Sequence, residues 1–148
     1  MISLLQRVSR ASVKVNGESI ASIGAGLVVL VGVEHNDSDT VAQRMAQRLV
    51  NYRIFGDGDG KMNLSAQDIG AEILLIPQFT LAADTTQGNR PGFSTAAEPG
   101  AAKQVFEKLS TAVRAHNVPM ATGLFGADMQ VALINDGPVT FHLRVAGS

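Results

Sequence analysis

The spacing of apolar residues in the first half of the chain is mostly that of β-strands. Apolar and polar residues alternate over residues 2–8 and 11–15, and Asn16-Gly17 after them is a typical two-residue hairpin turn. Residues 27–31 form a continuous run of Leu and Val, which is typical of a strand buried on both faces. A further strand is predicted from Glu72 to Ile76.

Helical spacing of apolar residues predicts two helices. The first extends from about residue 39 to 51, with Asp37 or Ser38 as its N-cap. The second extends from Pro99, which fits the first turn of a helix, to about His116. The repeating apolar positions are Val41, Met45, Leu49 and Tyr52 in the first helix, and Val105, Leu109, Ala112 and Val113 in the second.

The last part of the chain predicts a second hairpin. Residues 128–134 and 139–145 have the pattern of strands, and residues 135–138 between them read Asn-Asp-Gly-Pro, a turn-forming sequence. The polar, glycine-bearing residues 84–97 predict a surface loop. No linker, repeat or low-complexity segment divides the chain. We therefore expect a single α+β domain over residues 1–148, with a mostly antiparallel, barrel-like sheet and two main helices.

Composition narrows the class of protein. Of the 148 residues, 45% are hydrophobic and 17% are charged, which favours a folded globular chain over a disordered one. No apolar run approaches the ~20 residues that cross a bilayer, and the first residues lack the pattern of a secretory signal. The absence of Cys excludes disulfides and thiolate chemistry. We expect a cytoplasmic protein with no membrane partner.

The charge of the chain limits how it can contact nucleic acid. The 12 Lys and Arg residues are outnumbered by 13 Asp and Glu, and the net charge is −1. Proteins that bind long stretches of nucleic acid are usually basic, because contacts to phosphate supply most of their affinity. Extensive wrapping is therefore not expected, whereas contact with a short nucleic-acid end involves few phosphates and remains compatible.

The common motifs for metals and cofactors do not fit this sequence. A calcium loop beginning at Asp57 would place Lys61 at a ligand position and displace the required glycine, so a turn is the better interpretation. The histidines share no metal-type spacing, and neither a phosphate-binding loop nor a serine nucleophile elbow is present. We expect no metal and no cofactor. The three histidines are His35, His116 and His142.

Two short segments carry more chemistry than a strand or turn requires. In residues 77–81, Pro-Gln-Phe-Thr-Leu, a strand ends with a proline and is followed at once by an amide, an aromatic ring and a hydroxyl. In residues 135–140, Asn-Asp-Gly-Pro-Val-Thr, proline would begin a strand without a donor. From chemistry alone, the first segment is a strand end with Phe79 and Leu81 in the core, and the second is a turn.

Both segments resemble the signature motifs of the D-aminoacyl-tRNA deacylase family, Ser-Gln-Phe-Thr-Leu and Asn-x-Gly-Pro-Val-Thr. Pro77 stands where the family usually has serine, so any role of that hydroxyl is absent. A related subgroup that accepts L-alanine also has Pro-Gln but lacks the phenylalanine found here at position 79. Other stretches similar to the family, in the same order, are Met1 to Ala11, Tyr52 to Phe55, Gly60 to Leu64, Leu81 to Asp84, Arg90-Pro91 and Ala127 to Val131.

The resemblance implies an editing hydrolase that cleaves the ester between a D-amino acid and the acceptor end of tRNA. The tRNA terminal 2′-hydroxyl would assist catalysis, and Phe79 and Thr80 would supply backbone N–H groups to the oxyanion. The motifs contain no His, Lys or Glu, and no base is paired with Thr80 as a nucleophile would require. Phe79 would also help to shape the pocket for the terminal adenosine.

The resemblance also implies how the enzyme would distinguish D from L substrates. The family's Gly137-Pro138 bond is cis and enters the active site of the other subunit of a homodimer. Its carbonyl oxygens would hold the substrate ammonium and leave no room for an L side chain, whereas glycine would pass. Arg7 would secure this loop. The remaining residues expected at the site are Gln78 and Met129, which would contact the substrate, and Asn135 in a supporting role.

Two alternatives belong to other functional classes. A non-catalytic protein that binds RNA ends would retain aminoacyl-tRNA without turnover. A small-molecule esterase using Thr80 would need no tRNA. Parallel incubation with D-Tyr-tRNA and L-Tyr-tRNA distinguishes both from the deacylase.

Overall fold

Eight strands and three helices follow one another in residues 1–147, the part of the chain described by the computed structural model. The strands are β1 (Ile2–Val15), β2 (Glu18–Ile23), β3 (Gly26–Gly32), β4 (Phe55–Gly56), β5 (Met62–Leu64), β6 (Glu72–Pro77), β7 (Met120–Thr122) and β8 (Gln130–Arg144). The helices are α1 (Asp39–Asn51), α2 (Ala66–Ile69) and α3 (Pro99–Arg114), and a 3₁₀ turn covers Phe79–Ala82.

The main sheet is mixed and curls on itself. Its order is β2-β1-β3-β6-β7, and β8 pairs with the other side of β1. The pairs that involve β1 are antiparallel, whereas β6 is parallel to both β3 and β7. Because β2 also contacts β6 and β7, the sheet is nearly closed. The predicted α+β class is confirmed, and the parallel strands make the sheet mixed.

The two central strands are apolar on both faces because the sheet separates two cores. Leu27 and Val29 of β3 face the core that α1 and α3 cover, whereas Val28 faces the interior of the curled sheet. β6 repeats this division, with Ile73 and Leu75 in one core and Leu74 in the other. The continuous apolar run at 27–31 therefore follows from burial on both faces, as predicted.

The two main helices begin where the sequence predicts. The Ser38 hydroxyl accepts a hydrogen bond of 3.3 Å from the N–H of Val41 and caps α1, and Pro99 occupies the first turn of α3. α3 ends at Arg114, two residues before the predicted end at His116. Within residues 1–147, no helix combines the length and apolarity needed to cross a membrane.

The predicted C-terminal hairpin is wrong. Both halves of the segment belong to one strand, β8, and both pair antiparallel with β1. The register passes from Val8 opposite Asn135 to Gln6 opposite Thr140, so the Asn-Asp-Gly-Pro sequence forms a bulge in a continuous strand. Turn-forming residues suit a bulge as well as a reversal, and the length of β1 on the opposite side decides between them. β1 likewise continues through residues 9 and 10, where two separate strands were predicted.

The small elements between residues 55 and 69 were missed, although local signals mark them. Ser65 and Asp68 form a capping box at α2, with hydrogen bonds of 3.1 and 2.8 Å. The Asp57 carboxylate accepts hydrogen bonds from the N–H groups of Lys61 and Asp59, which lower its pKa. The acidic Asp57 segment is therefore a turn between β4 and β5, as predicted.

Candidate active site

A cavity of about 450 Å³ opens where the C-terminal end of β6 meets the first turn of α3 and the segment between β7 and β8. Its walls are mostly apolar, and the single ionisable side chain among them is Asp128. Wider clefts lie elsewhere, but they are lined by charged and polar residues. Its lining residues include Pro77, Gln78, Phe79, Ala97, Asp128 and Met129.

The end of β6 delivers Gln78 and Phe79 to this cavity. The N–H of Gln78 donates a 2.7 Å hydrogen bond to the Val31 carbonyl, which extends the pairing of β6 with β3 by one residue. The chain then turns over Gly32 into the 3₁₀ turn. A Cβ on Gly32 would lie 2.9 Å from the Cβ of Leu81, so glycine is what allows this close approach.

The 3₁₀ turn presents two backbone donors next to the cavity. Phe79 and Thr80 are its first two residues, so their N–H groups have no carbonyl within the turn. Within residues 1–147, no other group accepts a hydrogen bond from them. The Gln78 side-chain amide donates to the Thr80 hydroxyl, and no histidine, lysine or carboxylate contacts that hydroxyl in the described residues. The turn therefore offers N–H donors and no activated nucleophile.

Phe79 is exposed in spite of its size. It is 60% exposed and contacts Phe93, which is 41% exposed, with ring centroids 5.2 Å apart. The prediction from chemistry alone, that Phe79 lies in the core, is wrong, because the 3₁₀ turn directs the ring to the mouth of the cavity. An exposed aromatic pair beside an apolar cavity is suited to contact a planar ligand.

Met129 forms the part of the cavity nearest β7. Its sulfur accepts a 3.4 Å contact from the N–H of Leu124 and lies 2.9 Å from the position that a Cβ on Gly123 would occupy. A side chain at position 123 would therefore require the Met129 side chain to move. Asp84, which follows the 3₁₀ turn, has a lowered pKa because the hydroxyl and N–H of Thr86 donate to it.

The second motif forms a separate cluster at the bulge of β8. The Asn135 side chain accepts a 2.7 Å hydrogen bond from the N–H of Val139 and donates one of 2.9 Å to the Thr140 hydroxyl. The Gly137-Pro138 peptide bond is cis, as the resemblance implied. The Asn135 bonds close the bulge and leave Gly137 and Pro138 exposed.

Arg7 joins this bulge to the body of the protein. Its Nε donates a 3.0 Å hydrogen bond to the carbonyl of Asp136, and its Nη1 donates one of 2.9 Å to the carbonyl of Ile54. The carboxylate of Asp136 lies 3.8 Å from Nε. The Arg7 guanidinium therefore contacts the residue immediately before Gly137-Pro138.

The structure brings together some of the predicted site residues. Gln78, Phe79 and Met129 line one cavity, and Thr80 follows at its mouth. The other cluster does not line this cavity of the same chain; it comprises Arg7, Asn135, Gly137 and Pro138. The sequence pattern did not identify the cavity walls that come from distant parts of the chain. Pro99, predicted as the start of α3, was the nearest signal for them. These wall residues are Ala97, Pro99, Ala102 and Phe125.

Within residues 1–147, no group of three His, Asp or Glu side chains is placed to hold a metal ion. The apolar cavity and the free N–H groups instead suit an uncharged planar group next to an oxygen that gains negative charge. In chemical terms, the arrangement is that of a binding pocket with an adjacent oxyanion site.

Comparisons with known proteins give a consistent picture. The family model of D-Tyr-tRNA(Tyr) deacylase matches residues 4–144. A protein of Alteromonas mediterranea named D-aminoacyl-tRNA deacylase is 54% identical over 145 residues, which cover 98% of this chain and 100% of the relative. One of Xanthomonas axonopodis pv. citri with the same name is 55% identical, with coverage of 97% and 99%.

Solved structures agree with the fold. A structure titled c-Myc DNA Unwinding Element Binding Protein has a TM-score of 0.93 at 37% identity and covers 99% of this chain and 100% of its own. A second, titled as a probable eukaryotic D-amino acid tRNA deacylase, has a TM-score of 0.80 at 16% identity, with coverage of 96% and 97%. At that identity the second likeness shows the fold alone.

Proposed function

This chain belongs to the D-Tyr-tRNA(Tyr) deacylase family of hydrolases, and we propose that it cleaves the ester between a D-amino acid and the 3′ end of tRNA. The observation that carries the proposal is a family match over residues 4–144 that includes both motifs. The products are the free amino acid and tRNA. Glycine, which has no side chain to be rejected, is expected to be accepted as well.

We propose that the terminal adenosine occupies the cavity beside Phe79, with the ester carbonyl next to the 3₁₀ turn. Water attacks the carbonyl carbon, and the oxygen that becomes negative accepts hydrogen bonds from the N–H groups of Phe79 and Thr80. The ester C–O bond then breaks, and the 3′ oxygen leaves with a proton. Gln78 and Met129 contact the substrate from the cavity walls.

The proton transfers are assigned to the substrate. The cavity wall offers one ionisable side chain, Asp128, and no base contacts Thr80 in the described residues. The vicinal 2′-hydroxyl of the terminal ribose is within reach of the reacting ester by covalent structure, so it can direct the water and relay a proton. The protein then contributes geometry and backbone dipoles, and no metal or cofactor is assigned a role.

We propose that chirality is read across a two-fold homodimer. Gly137 and Pro138 do not line the cavity of their own chain, so the partner subunit's Gly137 and the partner subunit's Pro138 would complete the site. Their carbonyl oxygens bind the substrate ammonium and occupy the space that an L side chain needs. The free edge of β8 supports an interface along this strand.

The decisive experiment compares D-Tyr-tRNA and L-Tyr-tRNA at matched enzyme concentration. We expect multiple turnovers of the D substrate and a resistant L substrate. Equal hydrolysis of the two enantiomers would reject the chiral filter. Binding without release of amino acid would indicate the RNA-end binding protein, and hydrolysis of a simple amino acid ester that depends on Thr80 would indicate the esterase.

A further inference from the structure

The two free N–H groups beside the cavity belong to a short turn that has few bonds of its own. The 3₁₀ turn over Phe79–Ala82 is closed by two backbone hydrogen bonds of 3.2 Å, which the N–H groups of Leu81 and Ala83 donate. Of its four residues, Ala82 alone is buried. Hydrogen bonds of 3₁₀ turns have poorer geometry than those of α-helices. The position of the two free donors therefore depends on contacts from other parts of the chain.

One segment, residues 92–97, contacts both ends of this turn, and we call it the bracing segment. The ring of Phe93 packs against the ring of Phe79, the first residue of the turn, with centroids 5.2 Å apart and planes inclined by 52°. The hydroxyl of Thr95 donates a hydrogen bond to the carbonyl of Ala82, the last residue of the turn. Phe93 does not line the cavity, so its contact in this structure is with the turn.

The bracing segment is itself fixed at its two ends. At its start, Gly92 and Asp84 form a β-bridge, in which each N–H donates to the carbonyl of the other residue at 2.9 and 2.7 Å. At its end, the N–H of Ala97 donates a 3.0 Å hydrogen bond to the carbonyl of Val33, the residue immediately after β3. The two side chains that contact the turn therefore lie between two points of attachment, one of them next to a central strand of the sheet.

We propose that Phe93 and Thr95 are positioning residues, which hold the 3₁₀ turn so that its two free N–H groups face the reacting ester. The inference rests on the proposed function, which assigns those N–H groups to the oxyanion. Phe93 acts through the ring of Phe79, and Thr95 acts through the carbonyl of Ala82. Donors of this kind stabilise the transition state only if they are fixed before the reaction. A weaker brace therefore slows the chemical step more than it weakens the binding of substrate.

The first experiment measures the kinetics of Phe93→Ala with D-Tyr-tRNA. We expect kcat to fall about tenfold while KM changes by less than about twofold, because the brace acts on the donors and not on the bound adenosine. The control is Ile69→Ala, which removes a side chain of similar exposure, 48% against 41%, from α2 outside the cavity and should leave both constants unchanged. A raised KM with an unchanged kcat would show that Phe93 binds the substrate directly and would overturn the proposal.

The second experiment tests the other end of the turn with a matched pair of variants. Thr95→Val keeps the shape of the side chain but removes the hydroxyl that donates to the Ala82 carbonyl, whereas Thr95→Ser keeps this donor. We expect kcat to fall about fivefold in Thr95→Val and to stay within about twofold in Thr95→Ser, with KM nearly constant in both. Equal kcat values for the two variants would exclude a positioning role for the hydroxyl.

Hydrogen exchange tests the brace without any substrate. The amides of Leu81 and Ala83 form the two bonds of the turn, and we expect Phe93→Ala to accelerate their exchange at least about fivefold relative to amides of β3 and β6. Unchanged exchange at these two amides, or equal acceleration in β3 and β6, would overturn the proposal. A failure of the proposed function is a separate result, because it would appear as absent turnover of D-Tyr-tRNA by the unmodified enzyme.

Discussion

Two mechanisms predict opposite effects of replacing Thr80 on activity. If its hydroxyl is the nucleophile, activity is lost; if the substrate assists the reaction, activity is kept. Its hydroxyl accepts a hydrogen bond from Gln78 and contacts no base in the described residues. Its N–H, in contrast, is free and belongs to the backbone, so a change of side chain leaves it in place. The residue can therefore contribute to the oxyanion site without its hydroxyl taking part.

We predict that Thr80→Ala keeps deacylase activity within about tenfold of the unmodified enzyme, a loss of at most about 1.4 kcal/mol of transition-state stabilisation. D-Tyr-tRNA with a terminal 2′-deoxyribose should be nearly inert with either enzyme. Single-turnover rates measure both effects. An inactive Thr80→Ala combined with a reactive deoxy substrate would restore the protein nucleophile.

Gly137 is a position where a side chain is excluded by the backbone and by space. Its φ is +142°, and a Cβ would lie 2.6 Å from Val139 Cγ2 and 3.0 Å from the Val139 nitrogen. We predict that Gly137→Ala reorients the loop and lowers activity on D-Tyr-tRNA by more than about tenfold, since such backbone strain costs on the order of 1–3 kcal/mol.

The matched control for this prediction is Gly58→Ala. Gly58 lies in the turn before β5, has nothing within 4 Å of the position of a Cβ, and lacks a positive φ. Circular dichroism should show both variants folded, because Gly137 is exposed and outside both cores. Full activity of Gly137→Ala on D-Tyr-tRNA, with L-Tyr-tRNA still resistant, would remove Gly137 from the chiral filter.

At the level of secondary-structure elements, the bulge in β8 forms a loop within a strand without ending the strand. The strand pairs with β1 on both sides of the bulge, so the ends of the loop are fixed by two ladders. Within the loop, Asn135 replaces the missing ladder bonds with bonds from its side chain. Bulges placed in this way direct residues out of a sheet while the sheet holds their position.

We predict that Asn135→Ala reduces activity by about tenfold or more, because the N–H of Val139 loses its acceptor at a cost of roughly 1–3 kcal/mol. Asn135→Asp keeps an oxygen for that N–H and should retain most of the activity. Asn135→Ala should melt a few degrees below Asn135→Asp, since each kcal/mol lost lowers the melting temperature of a domain of this size by about 2–4 °C. If the two variants lose activity equally, the Val139 hydrogen bond does not position the loop.

At the scale of the whole molecule, the two clusters of site residues are separate within one chain. The cavity collects residues from β6, the 3₁₀ turn, α3 and the segment before β8, whereas the bulge is held by Arg7 of β1. A two-fold arrangement would place one cluster of each subunit against the other cluster of its partner. The proposed dimer would then have two sites, each of which would use both chains.

We predict that two inactive variants restore activity when they share a dimer. Phe79→Ala damages the cavity, and Gly137→Ala damages the loop. A purified heterodimer of the two contains one site built from an intact cavity and an intact loop, so we expect about half of the unmodified activity. Both homodimers serve as controls. Absence of recovery in a verified heterodimer, or full activity of a monomer in light scattering, would place the complete site within one chain.

Features that depend on local chemistry could be predicted from the order of the residues alone. The Ser38 cap, Pro99 at the start of α3 and the Asn16-Gly17 turn each act on adjacent residues, so the bounds of α1 and the turn of the first hairpin were predicted closely. The continuous apolar run at 27–31 predicted a strand that is buried on both faces of the sheet. The motif residues Gln78 and Phe79 were also identified, because resemblance to a family depends on residue identity.

Features that join distant parts of the chain could not be predicted in this way and are known from the folded structure. Asn-Asp-Gly-Pro is compatible with a reversal or a bulge, and the long strand β1 beside it selected the bulge. The cavity exists because the end of β6, the start of α3 and Met129 meet, and no local pattern records that meeting. Local propensity depends on a few consecutive residues, whereas packing and charge pairing join residues that are close in space but distant in sequence. Features of the first kind could therefore be predicted from the sequence, and features of the second kind could not.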